Sequence, residues 1–166
     1  MENPEGLEKL RVELPNHPQV QGETLWAMPV GGKLYEVRNV PFHAYGLNFR
    51  DVVEAEAEVA DEPPTVRRVH RRSGHRTLRV CFTEEALFEE RVPTLMKLRN
   101  LGATFESASQ AYFALDVEPS GDYLRICELL GQWQDQGLLS FETCEARDLR
   151  FFDAGPGRLE SWKSRD

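Results

Sequence analysis

The densest chemistry in the sequence is Arg67-Arg68-Val69-His70-Arg71-Arg72-Ser73-Gly74-His75-Arg76, which holds five arginines, two histidines and no acid. It carries +5 in a chain of net charge −8, so the other 156 residues sum to −13. Arginine presents a planar fork of donors that matches a phosphate or carboxylate, and the Ser73-Gly74 turn can add backbone N–H groups. Arg71, Arg72, Ser73, Gly74, His75 and Arg76 therefore form a candidate anion-binding set. A local explanation competes with it. Glu54, Glu56 and Glu58 precede the run, and a hairpin through residues 61–64 would set them opposite the arginines as cross-strand ion pairs, at a few tenths of a kcal/mol each. Three glutamates do not neutralise five arginines, and Arg76 lies beyond the turn.

A second set is His43, Tyr45, Asp51 and His75. Imidazole, phenol and carboxylate make an acid–base group wherever a fold brings them together. No nucleophile–base spacing accompanies them, which favours structural roles, with Phe42 and Tyr45 plugging a core. No His-x-x-x-His, His-Glu-x-x-His or paired-carboxylate spacing occurs, so neither a metal nor a cofactor is expected. Gly31-Gly32 lacks the flanks of a phosphate loop, and no Gly-x-Ser-x-Gly elbow marks Ser73 as a nucleophile. Cys81, Cys127 and Cys144 contain no Cys-x-x-Cys pair and read as small packing residues of a reducing compartment. Tyr112 and Asp116 fall on an outward strand face, without the signature of RNA-binding sheets.

These residues need elements to hold them. Residues 10–14, 24–30, 33–37, 51–59 and 65–72 read as strands, with Gly31-Gly32 turning one hairpin and residues 39–46 forming an aromatic loop. In residues 51–59, Val53, Ala55, Ala57 and Val59 share one face and the glutamates the other. The second half alternates differently: a strand at 77–82, a helix opening at Pro93 and stopped by Gly102, strands at 103–107 and 111–117, a helix capped by Ser120 and running to Gln136, and a strand at 138–146. The expected fold is α+β, a small bent β-sheet or partial barrel over residues 8–75 followed by a ferredoxin-like β-α-β-β-α-β unit over 76–146. Residues 147–166 read as a polar tail, in which Phe151, Phe152 and Trp162 are docking points, and residues 1–6 as a frayed end.

An ordinary apolar content of 40% and the acidic balance argue against a general nucleic-acid or anionic-membrane binder. The start carries no signal-peptide pattern and no apolar run is long enough to span a bilayer, so a cytoplasmic protein is expected. The segments Asn39-Val40-Pro41-Phe42-His43-Ala44-Tyr45-Gly46, Asp51-Val52-Val53, Ser73-Gly74-His75-Arg76-Thr77-Leu78-Arg79-Val80, Leu101-Gly102-Ala103-Thr104-Phe105-Glu106 and Ala114-Leu115-Asp116-Val117 together resemble a bacterial family known as domain of unknown function 4265. The resemblance spans residues 10–145 and implies a bacterial, cytoplasmic, single-unit protein; it brings no reaction with it.

The favoured expectation is a non-catalytic binding or regulatory module. Its partner would be a small anionic ligand on the arginine turn or a protein. The acidic remainder suits a basic protein, as when an immunity protein neutralises a basic toxin. The alternative is a hydrolase or transferase on an anionic substrate, with His75 as acid or base, Arg72 and Arg76 on the anion, and Tyr45 or Asp51 assisting. A third reading is a structural homo-oligomer pairing through an exposed sheet edge. A membrane or a nucleic acid is not expected as partner.

Overall fold

The computed structural model describes residues 6–145, so the expectations for residues 1–5 and for the 147–166 tail, with Phe151, Phe152 and Trp162, lie outside the described residues. The chain folds as mixed α and β structure with two sheets and few helices.

The first sheet is a closed barrel of β1 (Glu8–Glu13), β2 (Gly22–Gly31), β3 (Leu34–Val37), β4 (Val52–Glu56) and β5 (Thr65–Arg71). Neighbours are antiparallel except β1 and β5, which meet in parallel at Arg11 and Thr65 and close the ring with an Arg11 N–H to Pro64 carbonyl bond of 2.8 Å. Alternation puts Leu10, Val12, Leu25, Ala27, Val37, Val53, Ala55 and Val66 inside. Closure goes beyond a bent sheet and removes the exposed edges such a sheet would have. Pro29 falls on the part of β2 that pairs only with β3, where its missing N–H costs no ladder bond to β1. Two expectations need correction. The turn after β2 centres one residue later than Gly31-Gly32, on Gly32 and Lys33, and β4 ends at Glu56. Ala57 and Val59 leave the sheet for a turn with Asp61 at φ 71°, and Val59 is exposed.

The second sheet contains β6 (Arg76–Phe82), β7 (Ala103–Ser107), β8 (Tyr112–Val117) and β9 (Leu139–Thr143), in the order β7-β8-β6-β9 with every pair antiparallel. Two helices, α1 (Phe88–Met96) and α2 (Tyr123–Asp135), complete the order strand-helix-strand-strand-helix-strand. Leu78, Val80, Phe113, Leu115 and Val117 face the helices and pack on Leu95, Leu98, Ile126 and Leu130.

α1 opens at Phe88, so Pro93 lies inside it rather than in its first turn. The missing N–H releases one carbonyl. Arg91 braces the entry to the helix by donating to the carbonyls of Ala86, Gln110 and Thr83. α2 is capped by Asp122, which accepts from the Arg125 N–H, while the expected cap Ser120 donates to Glu118. Gly102 does end the first helical region, after a 3-10 turn at Arg99–Leu101, with φ 93°. A Cβ there would also meet the Gly121 Cα at 2.7 Å.

Candidate functional site

The outer face of the second sheet, opposite its helices, carries Thr77, Arg79, Cys81, Tyr112, Asp116 and Glu142 by register. It is not an open platform. The loop joining β3 to β4, residues 38–51, lies across it and makes the junction between the two sheets.

Arg79 is the centre of that junction and only 1% exposed. Its Nε donates to Glu142 at 3.1 Å, its Nη1 to the carbonyls of Ala44 at 3.0 Å and Pro41 at 3.5 Å, and its guanidinium lies 4.5 Å from the Tyr45 ring. Burial opposes its charge, but the groups around it, Cys144, Tyr112 and Glu142 first among them, outweigh burial and keep it charged. Tyr45 donates to the other Glu142 oxygen at 2.7 Å, and Tyr112 donates to the Phe42 carbonyl at 2.6 Å. Burial pushes both phenols well above their ordinary value. From the barrel side Glu23 accepts the successive N–H groups of Phe42, His43 and Ala44, and from the sheet side Glu106 accepts from Val40.

The arginine-rich run wraps the other end of the same loop. Asp51, with no exposed surface, accepts from Ser73 N–H at 2.8 Å, Asn48 N–H at 2.9 Å and Arg72 at 3.3 Å, and Arg72 also donates to the Gly46 carbonyl. The turn that aims Asp51 inward places Arg50 at φ 64°. Ser73 donates its hydroxyl proton to Phe49 at 2.7 Å and accepts from the His75 N–H, so that proton is not offered to an imidazole. His75 places Nδ1 2.9 Å from both Asp116 oxygens, with its ring edge-on to Phe49. Burial pushes the Asp116 carboxyl above the ordinary carboxylate value, and the His75 hydrogen bond partly offsets this.

The remaining arginines are paired too. Arg76 binds Glu145 and lies 3.5 Å from the Tyr123 ring, Arg67 binds Glu58, and Arg68 binds Glu54 at 2.6 Å. Glu56 turns instead to Lys33. Arg71 alone among the arginines of the run is exposed and without an ion pair among the described residues. Gly74 sits at the tip with φ 88°.

The acid–base set divides. His43 contacts Tyr112 at 6.2 Å and His17 at 5.5 Å between ring centroids, and His17 stacks on Tyr45 at 6.5 Å. Burial lowers the His43 pKa; Glu23 opposes the shift, and His17 and Arg79 add to it. Asp51 joins Arg72 and Ser73, and His75 joins Asp116. Among the described residues no hydrogen bond or ring contact links His43 or Tyr45 to His75. Sequence reasoning missed Glu23, His17, Arg79, Glu106, Asp116 and Glu142 as members of this junction. Arg79 had a legible signal, since it is a charged residue whose neighbours Leu78 and Val80 alternate into a core.

Cys81 is exposed, contrary to the packing role expected of it, because it faces the outer side near the end of β6. Cys127 and Cys144 are buried, and burial raises their thiols to about 11 and about 12. The described residues contain no group of three or more His, Cys, Asp or Glu placed to hold a metal, and no helix long and apolar enough to cross a membrane.

An open concavity exists elsewhere. A cleft of about 710 Å³ lies between α1 and the β7–β8 hairpin; Phe88, Val92, Phe105 and Phe113 form its apolar wall, and Glu89 and Arg91 are its charged lining residues. Phe88, Val92 and Met96 follow each other at one-turn spacing and are 61%, 45% and 42% exposed, with Leu87 at 56%. Glu84, Glu85, Glu89 and Glu90 are exposed around the start of α1.

Three comparisons bear on these features. The family described as domain of unknown function DUF4265 matches residues 23–141, which include the junction loop, the arginine turn and most of both sheets. A crystal structure titled as a hypothetical protein from Neisseria gonorrhoeae is similar in fold, with a TM-score of 0.70 at 16% sequence identity over 90% of this chain and 99% of that one. No curated protein matches the chain.

Proposed function

The chain belongs to the DUF4265 family, and from its surfaces we propose that it is a non-catalytic binding module for a protein partner. The second half is read as a ferredoxin-like unit on its strand-helix-strand-strand-helix-strand order, in a bacterial, cytoplasmic protein. One observation carries the reading: the apolar cleft beside α1 stays open while turn-spaced Phe88, Val92 and Met96 stand in solvent. Contiguous exposed apolar surface of this kind marks interaction sites in soluble proteins. Glu89 in its lining and the exposed Glu84, Glu85 and Glu90 around the start of α1, on a chain of net charge −8, suit a basic partner and would speed its approach. Neutralisation of a basic protein, in the manner of an immunity protein, is one form this takes.

The small-anion version of the module has less support. Of Arg71, Arg72, Ser73, Gly74, His75 and Arg76, four have side chains engaged in holding the junction, which leaves Arg71 and the Gly74 tip facing solvent. An enzymatic reading keeps one favourable observation, the 2.9 Å contact that orients His75 by Asp116 as a general base is oriented.

Thermal-shift and anisotropy titrations separate these readings. Phosphate, citrate and a lysine-flanked apolar peptide would be added to the wild type, to Phe88→Ser/Val92→Ser and to Arg72→Ala/His75→Ala. The expected result is peptide binding lost only in the first variant. Anion binding lost only in the second would overturn the protein-partner reading.

A further inference from the structure

The cleft borders a strand edge that no described strand pairs. β7 is the outermost strand of its sheet and pairs only with β8. In an antiparallel pair, residues alternate between those that exchange hydrogen bonds with the partner strand and those whose N–H and C=O point away. The Ala108 N–H donates to the Tyr112 carbonyl at 2.9 Å, and the Glu118 N–H to the Gly102 carbonyl at 3.0 Å, which fixes the phase. Thr104 and Glu106 bond inward to Asp116 and Ala114, so Phe105 and Ser107 present their backbone groups outward. Among the described residues neither has a backbone partner on that side.

The opposite edge of the sheet is finished differently. The same alternation turns Phe141 of β9 outward, and there the Gln134 side chain accepts its N–H at 3.1 Å. Among the described residues the β7 edge has no such cover, and the Phe105 side chain beneath it lines the cleft.

We propose that an extended, basic segment of a partner protein adds to β7 as a fifth strand, its main chain bonding Phe105 and Ser107 and an apolar side chain entering the cleft between α1 and β7. The proposal rests on the protein-partner reading and specifies how the partner is held. Strand addition explains why groove and edge occur together. Main-chain bonds supply affinity without regard to sequence, while every second side chain points into the groove and is selected there. Charge settles the flanks. Glu84, Glu85, Glu89 and Glu90 are exposed, and the nearest cation, Arg91, already donates to three carbonyls. Two of the four glutamates also suit the first turn of a helix, whose dipole favours anions. Glu84 and Glu85 precede the helix and leave a surplus that lysines or arginines on the incoming strand would meet.

The probe is a fluorescent nonapeptide with two lysines at each end and valine or leucine alternating with threonine between them, titrated against the full chain. Two N-methylated forms carry methyl groups on one or the other alternate set of amides. One form is expected to bind about tenfold more weakly than the parent, the order of losing one or two main-chain hydrogen bonds, and the other unchanged. Ser107→Pro removes an outward N–H without touching the ladder to β8 and should weaken the parent peptide by a similar factor, whereas Ser107→Ala, which loses only the hydroxyl bond to the Ser109 carbonyl, should bind it as the wild type does. Amide exchange at Phe105 and Ser107 should slow in the complex. Equal binding of both methylated peptides, with binding still lost in Phe88→Ser/Val92→Ser, would overturn strand addition and leave the protein-partner reading standing. Failure of every peptide, with anion binding lost in Arg72→Ala/His75→Ala, would overturn both. Protection of the same amides in the free protein would overturn the proposal too. It would assign the edge to a second copy if protection follows concentration, and to residues 146–166 if it does not.

Discussion

The two faces of the second sheet are finished in opposite ways. Its outer face meets the barrel through charged and polar side chains that are nearly all paired, around Arg79, Glu142, Tyr45 and Glu23. Its helix side is apolar, yet at the β7 edge it is left open, with Phe88 and Val92 in solvent. Charge density in a sequence points to the first region and turns out to mark internal fastening. The second region consists of ordinary hydrophobic residues, and what distinguishes it is incomplete burial. A buried polar network has every reason to be satisfied internally, because an unpaired buried charge is expensive. An exposed apolar stripe has no such internal reason.

The sharpest test of this contrast is Arg79→Leu. Removing the buried guanidinium leaves the Ala44 and Pro41 carbonyls without their donor and Glu142 with Tyr45 alone, and should cost about 3–4 kcal/mol, read as an earlier urea midpoint. For a chain of this size the melting temperature should fall by on the order of 10 °C. A variant as stable as the wild type would mean that the junction is not fastened by its charges. Asp51→Ala should follow at about 2–3 kcal/mol, since the Ser73 and Asn48 N–H groups lose a buried acceptor. Asp51→Asn keeps one acceptor oxygen and should recover part of that loss.

A third test uses pH and thiol reagents. Burial raises Cys127 to about 11 and Cys144 to about 12, so each favours the folded state while protonated. That contribution is complete below the thiol's ordinary value near pH 9 and is lost as pH rises through 11 and 12. At neutral pH iodoacetamide should therefore label exposed Cys81 and spare the other two, as peptide mass spectrometry would show. Labelling of Cys144 in the native protein would mean that the junction opens. The smallest effect is expected at the cleft. Phe88→Ser should change stability by no more than about 0.5 kcal/mol while abolishing peptide binding. A large loss of stability would place Phe88 in the core and remove the contrast.

Much of the architecture was legible from local pattern. Alternation at residues 10–14 and 65–72, and the Gly102 stop, reflect periodicities and glycine conformations that act within a few residues. The helix starts were less legible. Pro93 suits a first turn by itself, but the helix begins at Phe88, where Arg91 reaches back to the Ala86 carbonyl, a contact that no local pattern announces. The site was least legible of all. His43, Tyr45, Asp51 and His75 look like one acid–base set by type, but their partners are Glu142 for Tyr45 and Asp116 for His75, and these lie 97 and 41 residues away in sequence.

By itself the sequence determined an acidic chain of two halves, with alternating strands first and a strand–helix rhythm second, because those properties depend on composition and neighbouring residues. Only the tertiary structure decided that the barrel closes, that most of the arginine run fastens the molecule to itself, and that an edge and a groove are left uncovered by the described residues. Each of those outcomes depends on which distant surfaces meet. Pairing across tens of residues determines whether a charge is neutralised or a hydrophobic side chain is covered, and no local pattern encodes that pairing.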